Sequence, residues 1–140
     1  MAPVGAVVLS PGTDLSLTGA SWETRASADP YFTHPQAVEL VRAYLNGHDA
    51  SDPFASPLLA DLAGLPPVRV HVGADEVLFD DSRRFVERAV AAGVDIELDV
   101  WEGMVHGFPG EVGRFAASAE VLEISGAFLT KCFAVSAVRR

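Results

Sequence analysis

The chain has 140 residues, of which 49% are hydrophobic, and its mean hydropathy is +0.25. This length and composition suit a folded domain or part of a larger one, and they exclude intrinsic disorder. Acidic residues outnumber basic ones 19 to 10, the formal net charge is −9, and basic residues cluster only as the pairs Arg83-Arg84 and Arg139-Arg140. Because nucleic-acid binding requires a basic face, this charge argues against a nucleic-acid partner.

Cysteine content and the first residues indicate a compartment. Cys132 is the single cysteine, so an internal disulfide is excluded, and no Cys/His pair has the spacing of a zinc finger. Residues 1–9 lack the charged leader and the long apolar core of a signal peptide, and we expect no stretch as long as a membrane span. The sequence therefore predicts a soluble, cytoplasmic protein.

The first half of the chain predicts one strand, a long loop and a helix. The apolar run 4–9 is typical of a strand buried on both faces of a parallel sheet, and since such a strand needs two neighbours, we expect further sequence upstream. Residues 10–34 form a long polar loop of the kind that builds a binding-site wall. A helix is predicted over 35–45, with Pro35 in its first turn and Asn46-Gly47 at its end.

The second half alternates between strands and helices. Residues 68–73 form a β-branched strand, 80–92 an amphipathic helix, 95–101 an alternating strand near a sheet edge, and 112–133 a final apolar helix. This order predicts an α/β fold, in which about three parallel strands are joined by crossover helices.

Two chemically useful residues follow consecutive predicted strands. Asp75 comes directly after strand 68–73, and His106 follows strand 95–101 in the segment Gly103-Met104-Val105-His106-Gly107. Reactive groups in parallel sheets gather beyond the carboxyl ends of the strands, so we expect Asp75 and His106 to lie side by side. A carboxylate beside an imidazole fixes its tautomer and stabilises the imidazolium, which is two-thirds of a Ser-Asp-His triad.

These residues lie in segments that resemble a known family, the hormone-sensitive-lipase-like bacterial esterases and lipases of the alpha/beta hydrolase fold-3 type. The matching segments are Val8 to Leu15, Ser56 to Leu58, Leu65 to Gly73, Asp75 to Ser82, Ala91 to Val94 and Trp101 to Phe108. The resemblance implies the C-terminal portion of an α/β-hydrolase that acts on small-molecule esters without a cofactor or a metal. It also implies that Asp75 is the triad acid and His106 the general base.

The chain departs from the family pattern in one respect. Neither a His-Gly-Gly oxyanion motif nor a Gly-x-Ser-x-Gly nucleophile elbow occurs in the 140 residues. Ser82 and Ser125 lie in predicted helices, and Ser10 precedes Pro11, which has no N–H to donate where the elbow needs one. Residues 1–140 therefore predict a partial domain that lacks the N-terminal strands and the nucleophile, and that is catalytically silent alone.

Structural readings of the same residues stay open at this point. Asp75 could be a turn or helix-cap aspartate, and His106 an ordinary loop histidine. Loop aromatics could line an acyl or alcohol pocket, although local packing explains such residues more simply; they are Trp22, Tyr31, Phe32 and Phe54. The remaining histidines do not form a metal set, and they are His34, His48 and His71.

An alternative function also stays open. The chain could be a non-catalytic, truncated hydrolase that persists by association, because the strand at 4–9 would expose an unpaired edge. On this reading the chain forms a homo-oligomer, or pairs with a partner chain, through that sheet edge.

Overall fold

The structure is a computed structural model that describes residues 3–138, and it contains one sheet with long helices on both faces. Two 3-10 turns, Pro57–Leu59 and Phe108–Gly110, interrupt the loops. The elements in chain order are β1 (Ala6–Leu9), α1 (Ser21–Thr24), α2 (His34–Leu45), β2 (Val68–Gly73), α3 (Phe79–Ala91), β3 (Ile96–Trp101) and α4 (Ala116–Val138). The predicted α/β succession is confirmed.

The three strands are parallel and run in the order β1-β2-β3. Register pairs Ala6 with Val68 and Gly73 with Trp101, so the carboxyl ends of all three strands meet at one edge of the sheet. The central strand β2 is the most deeply buried, which agrees with its β-branched, apolar sequence. This edge is where the candidate site lies.

Strand β1 differs from the prediction of a strand buried on both faces. Among residues 3–138 it pairs only with β2, its side chains are partly exposed, and Leu9 is 42% exposed. The apolar run is that of a central strand, but no described segment covers its outer edge. That edge therefore presents unpaired backbone groups.

Helix α3 packs on one face of the sheet because its apolar residues recur at helical spacing. Phe85 and Ala89 pack with Val68 and Val70 of β2, in a core cluster that also contains Leu58, Leu62 and Val94. Asp80 and Asp81 occupy the first turn of α3, where the helix dipole favours negative charge. The cluster fixes β2, and with it the turn that follows β2.

Helix α4 starts later and ends later than the predicted 112–133. Residues before it form a tight turn, in which Phe115 N–H donates to the Glu111 carbonyl and Gly113 has φ +91°. Its 23 residues are long and apolar enough to cross a membrane, so the expectation that no stretch reaches that length is wrong. One such helix is weak evidence for a membrane, because core helices of soluble proteins share these properties.

A buried histidine joins α4 to the other face of the sheet. His71 of β2 is fully buried, with Nδ1 3.2 Å from Asp99 Oδ2 and Nε2 3.2 Å from Ser125 Oγ. Burial lowers the pKa of His71, which favours its neutral form. Its interpretation as a residue inside a strand is confirmed.

Candidate active site

A carboxylate and an imidazole meet at the carboxyl edge of the sheet, and they are Glu76 and His106. Glu76 lies in the turn after β2, and His106 lies in the turn after β3. Nδ1 of His106 is 3.2 Å from Oε2 of Glu76, whose side chain is fully buried while that of His106 is 27% exposed. The expected neighbourhood of a carboxylate and His106 is present, but the carboxylate comes from residue 76.

Asp75 is not brought to His106. Its backbone N–H donates to the Met104 carbonyl at 3.1 Å, and its partly buried side chain makes no hydrogen bond within residues 3–138. The chain leaves β2 in a tight turn, closed by Glu76 N–H donating to the Gly73 carbonyl at 3.3 Å. That turn directs residue 76 toward the strand ends and leaves residue 75 beside it.

Two donors hold the other oxygen of Glu76. Ser10 Oγ and the Gly73 N–H each donate to Oε1 at 2.6 Å. These bonds leave Oε2 for His106, and they satisfy a carboxylate that has no access to water. The Glu76 carboxylate is therefore supported by residues from the ends of both β1 and β2.

Ser10 adopts a backbone conformation that is unusual for serine. Its φ is +47°, in the left-handed region, which costs a non-glycine residue about 1–2 kcal/mol. The next residue, Pro11, favours an extended backbone at the residue before it, which disfavours this conformation further. The fold nonetheless holds Ser10 buried, at 6% exposure.

Gly73 allows the two turns to approach closely. A Cβ atom at Gly73 would overlap the carbonyl of Met104, which belongs to the turn that carries His106. The Ala74 N–H also donates to the Trp101 carbonyl at 2.9 Å. The turn that carries Glu76 and the turn that carries His106 are thus packed backbone against backbone.

Phe32 forms the wall beside His106. The two rings meet edge to face, with centroids 4.8 Å apart and planes at 77°. Phe32 also lines a cleft of about 540 Å³ together with Tyr31, Pro35 and Leu40. A cleft of this volume, which shares the Phe32 ring with the surroundings of His106, can take an apolar group of a small ligand.

The other predicted loop aromatics do not join this wall. Trp22 is buried, packs with Ala37 and Val77, and meets the His34 ring edge to face. Phe54 is 98% exposed. Trp22 therefore belongs to local packing, as the simpler interpretation held.

A second buried carboxylate ties the loop after β1 to α3. Asp81 Oδ2 accepts hydrogen bonds from the backbone N–H groups of Thr13 and Asp14, at 2.7 and 2.9 Å. Its Oδ1 is buried without a partner among the described residues. Burial raises the pKa of Asp81 to about 6, so its role extends beyond that of a negative charge in the first turn of α3.

Between residues 3 and 138, no group of three or more His, Cys, Asp or Glu side chains is arranged to hold a metal ion.

Sequence reasoning missed Glu76 and the support that Ser10 gives it. Asp75 and Glu76 are adjacent carboxylates, so a shift of one residue exchanges their roles. Ser10 was weighed only as a nucleophile, and its contact spans 66 positions along the chain. The adjacent carboxylates were a visible signal, but no local pattern marks the serine.

The fold agrees with comparisons to known proteins. The sequence model of the alpha/beta hydrolase fold matches residues 1–110. An acetyl-hydrolase of Streptomyces hygroscopicus is 35% identical over 127 residues, which are 91% of this chain and 42% of that protein. The chain belongs to the alpha/beta hydrolase fold family.

Solved structures give the same result. A crystal structure of EstE5 soaked with p-nitrophenyl butyrate has a TM-score of 0.90 at 38% identity, over 94% of this chain and 44% of that one. An esterase from the bacterial hormone-sensitive lipase family has a TM-score of 0.90 at 40% identity, over 92% and 43%. The chain therefore spans less than half the length of these proteins.

Proposed function

We propose that this chain supplies the acid and the base of a serine carboxylic-ester hydrolase, and that Glu76, rather than Asp75, is the acid. The observation that carries the proposal is the 3.2 Å contact between His106 Nδ1 and the buried Glu76 carboxylate. The names of the relatives support the reaction class, since they include an acetyl-hydrolase and an esterase.

The proposed chemistry follows from the hydrogen bond. When Nδ1 of His106 donates to Glu76, Nε2 carries the lone pair and accepts a proton from a serine hydroxyl. The hydroxyl oxygen attacks the ester carbonyl, and Nε2 returns the proton to the alcohol as the ester C–O bond breaks, which leaves an acyl group on the serine. Water that gives a proton to Nε2 then attacks this acyl group, releases the carboxylic acid and regenerates the serine. Glu76 holds the ring in this tautomer and stabilises the imidazolium each time it forms.

The nucleophile and the oxyanion donors are proposed to come from outside these 140 residues. Neither a Gly-x-Ser-x-Gly elbow nor a His-Gly-Gly motif occurs in the sequence. Residues 1–140 are accordingly a partial domain, and an acid and base alone have no hydroxyl to activate. Small esters are the proposed substrates, because EstE5 was soaked with p-nitrophenyl butyrate and the cleft beside Phe32 has room for a short chain.

A chimaera tests this function. The segment of the S. hygroscopicus acetyl-hydrolase that precedes its matching part is joined to this chain, and hydrolysis of p-nitrophenyl butyrate is measured. We expect the chimaera to hydrolyse the ester, and the 140-residue chain alone not to. His106→Ala should reduce kcat at least about 1,000-fold, because the general base is lost.

The acid assignment is tested by matched amide substitutions in the same chimaera. Glu76→Gln should lower kcat by two or more orders of magnitude, since a neutral amide does not stabilise the imidazolium. Asp75→Asn removes the adjacent carboxylate and should leave kcat within a few-fold of the parent. The reverse order of effects would restore Asp75 as the acid, and activity that survives His106→Ala would refute the proposal.

A second candidate is a non-catalytic chain that persists through association. One observation favours it, which is the outer edge of β1, left unpaired within residues 3–138. Its test belongs to the molecule as a whole and is given in the Discussion.

A further inference from the structure

We infer that Ser10 is the positioning residue for the acid, an inference that rests on the proposed role of the Glu76–His106 pair. Three observations meet at this residue. Ser10 Oγ donates to Glu76 Oε1 at 2.6 Å, Ser10 is almost completely buried, and its φ is +47° immediately before Pro11.

The turn after β1 does not itself require a serine in the strained conformation of Ser10. Glycine adopts a positive φ without steric cost, so a turn that only needed this conformation would be served better by glycine. Serine at this position retains a hydroxyl that reaches across from the end of β1 to the acid. Strained residues held in place by the surrounding structure cluster at functional sites, and here the strain places a single hydrogen-bond donor.

The geometry of the carboxylate shows what this donor does. Glu76 has two oxygens, and Oε1 accepts from both Ser10 Oγ and the Gly73 N–H. Two donors on one oxygen fix the plane of the carboxylate and turn Oε2 toward His106 Nδ1. Without the hydroxyl, Oε1 keeps a single backbone donor, and the orientation of the carboxylate relative to His106 is less constrained.

Ser10 does not act as the nucleophile in this arrangement. Its hydroxyl donates to the acid, and the hydrogen bonds of His106 in the described chain do not include it. Ser10 acts through Glu76 and touches neither the proposed substrate nor the proton in transit. It is a positioning residue and not a catalytic one.

The experiment follows the Nδ1–H resonance of the His106 ring by proton NMR in the 140-residue chain, because a proton held between Nδ1 and a carboxylate resonates downfield and exchanges slowly with water. Ser10→Gly removes the hydroxyl, which costs a buried hydrogen bond, and relieves the backbone strain, so its two effects on stability oppose each other. The His106 Nδ1–H resonance of this variant should shift upfield or be lost to exchange with water, because the Glu76 carboxylate is no longer held in line with the ring. Ser10→Thr keeps the hydroxyl and should restore the resonance.

A matched control separates strain from positioning. Asn46 is exposed and also has a positive φ, +45°, at the end of α2. Asn46→Gly should relieve strain without changing the His106 Nδ1–H resonance. If Ser10→Gly does not fold, Ser10→Ala provides the same hydroxyl deletion for the measurement.

The outcomes distinguish the inference from the function on which it rests. An unchanged Nδ1–H resonance in the Ser10 deletions, together with a shifted or lost resonance in Glu76→Gln, would overturn the positioning role and leave the acid–base pair standing. An unchanged resonance in Glu76→Gln would remove the pair itself, and the positioning role with it.

Discussion

Asp81 is a buried carboxylate whose surroundings favour its protonated form. It accepts two backbone hydrogen bonds through Oδ2, but burial outweighs them and raises its pKa to about 6. The ordinary value of this group is 3.8. The folded state therefore binds this proton more tightly than the unfolded state does, and the stability that results is present at low pH and lost as the pH rises through 6.

The neutral variant Asp81→Asn tests this linkage. Between pH 5 and pH 8 the parent should lose about 1 kcal/mol of unfolding free energy that the variant does not lose, because the variant has no proton to release there. Urea unfolding at the two pH values measures the difference.

Asp80→Asn is the control for that experiment. The pKa of Asp80 lies below its ordinary value, since hydrogen bonds from Arg83 and Ser21 outweigh the effect of burial. Asp80 is thus ionised across the whole window, and its variant should show the pH dependence of the parent. Equal losses in the parent and in Asp81→Asn would contradict the raised pKa.

At the same scale, the sequence predicts that Asp75 lies beside His106, and the structure instead places the adjacent residue, Glu76, there. Strand order and the carboxyl-edge rule were sufficient to bring His106 beside the turn after β2. They could not choose between Asp75 and Glu76, because that choice depends on a turn held by the Met104 carbonyl from a different strand. Long-range backbone contacts of this kind leave no local pattern.

Among the elements, the turns after β2 and β3 pack closely because Gly73 has no side chain. At Gly73 a Cβ would meet backbone atoms of Met104, which cannot swing aside as a flexible side chain can. We expect Gly73→Ala to destabilise the fold by about 1–3 kcal/mol, as overpacking does. The urea midpoint should fall accordingly, and His106 should move away from Glu76.

Gly126→Ala is the matched control at the same scale. Gly126 lies inside α4, and a Cβ there would meet nothing within 4 Å. Because alanine is the better helix former, this variant should gain about 1 kcal/mol of stability. A Gly73→Ala variant as stable as the parent would show that the two turns are less tightly packed than described.

The ends of the strands and helices show how far the periodicity of apolar residues in the sequence defines element boundaries. The sequence predicts β2 over 68–73, which is its range in the structure, and it predicts α3 to within one residue at each end. Turn residues and amphipathic spacing mark the ends of both elements. Helix α4 was placed less well, since its apolar residues lie all around it and no amphipathic stripe marks its ends. Its first turn is set by the preceding Gly113 turn.

For the molecule as a whole, the unpaired side of β1 is the feature most open to association. The Ala6 N–H donates to the Pro67 carbonyl just before β2, and the Ser10 N–H donates to the His71 carbonyl of β2. In a parallel pair the alternate residues Val7 and Leu9 therefore direct their backbone groups outward. Exposed edges of this kind pair with other strands. Helix α4 offers a second surface, since Leu122 and Phe133 are exposed.

We expect the 140-residue chain to self-associate through β1, as measured by size-exclusion chromatography with light scattering. Val7→Pro removes an outward N–H without removing a bond to β2, and it should shift the population toward monomer. Phe133→Lys alters only the α4 surface and should leave the association unchanged. A compact parent monomer would rule association out, and dissociation by Phe133→Lys alone would place the contact on α4.

The backbone contact between the two site turns has a consequence for local opening. The amides of Ala74 and Asp75 donate to the carbonyls of Trp101 and Met104. These bonds hold the turn that carries Glu76 against the end of β3 and the turn that carries His106. The Ala74 and Asp75 amides cannot exchange with solvent unless the turn that carries Glu76 separates from the turn that carries His106. In hydrogen-exchange terms they form one cooperative unit, in which the acid and the base become ordered, and are lost, together.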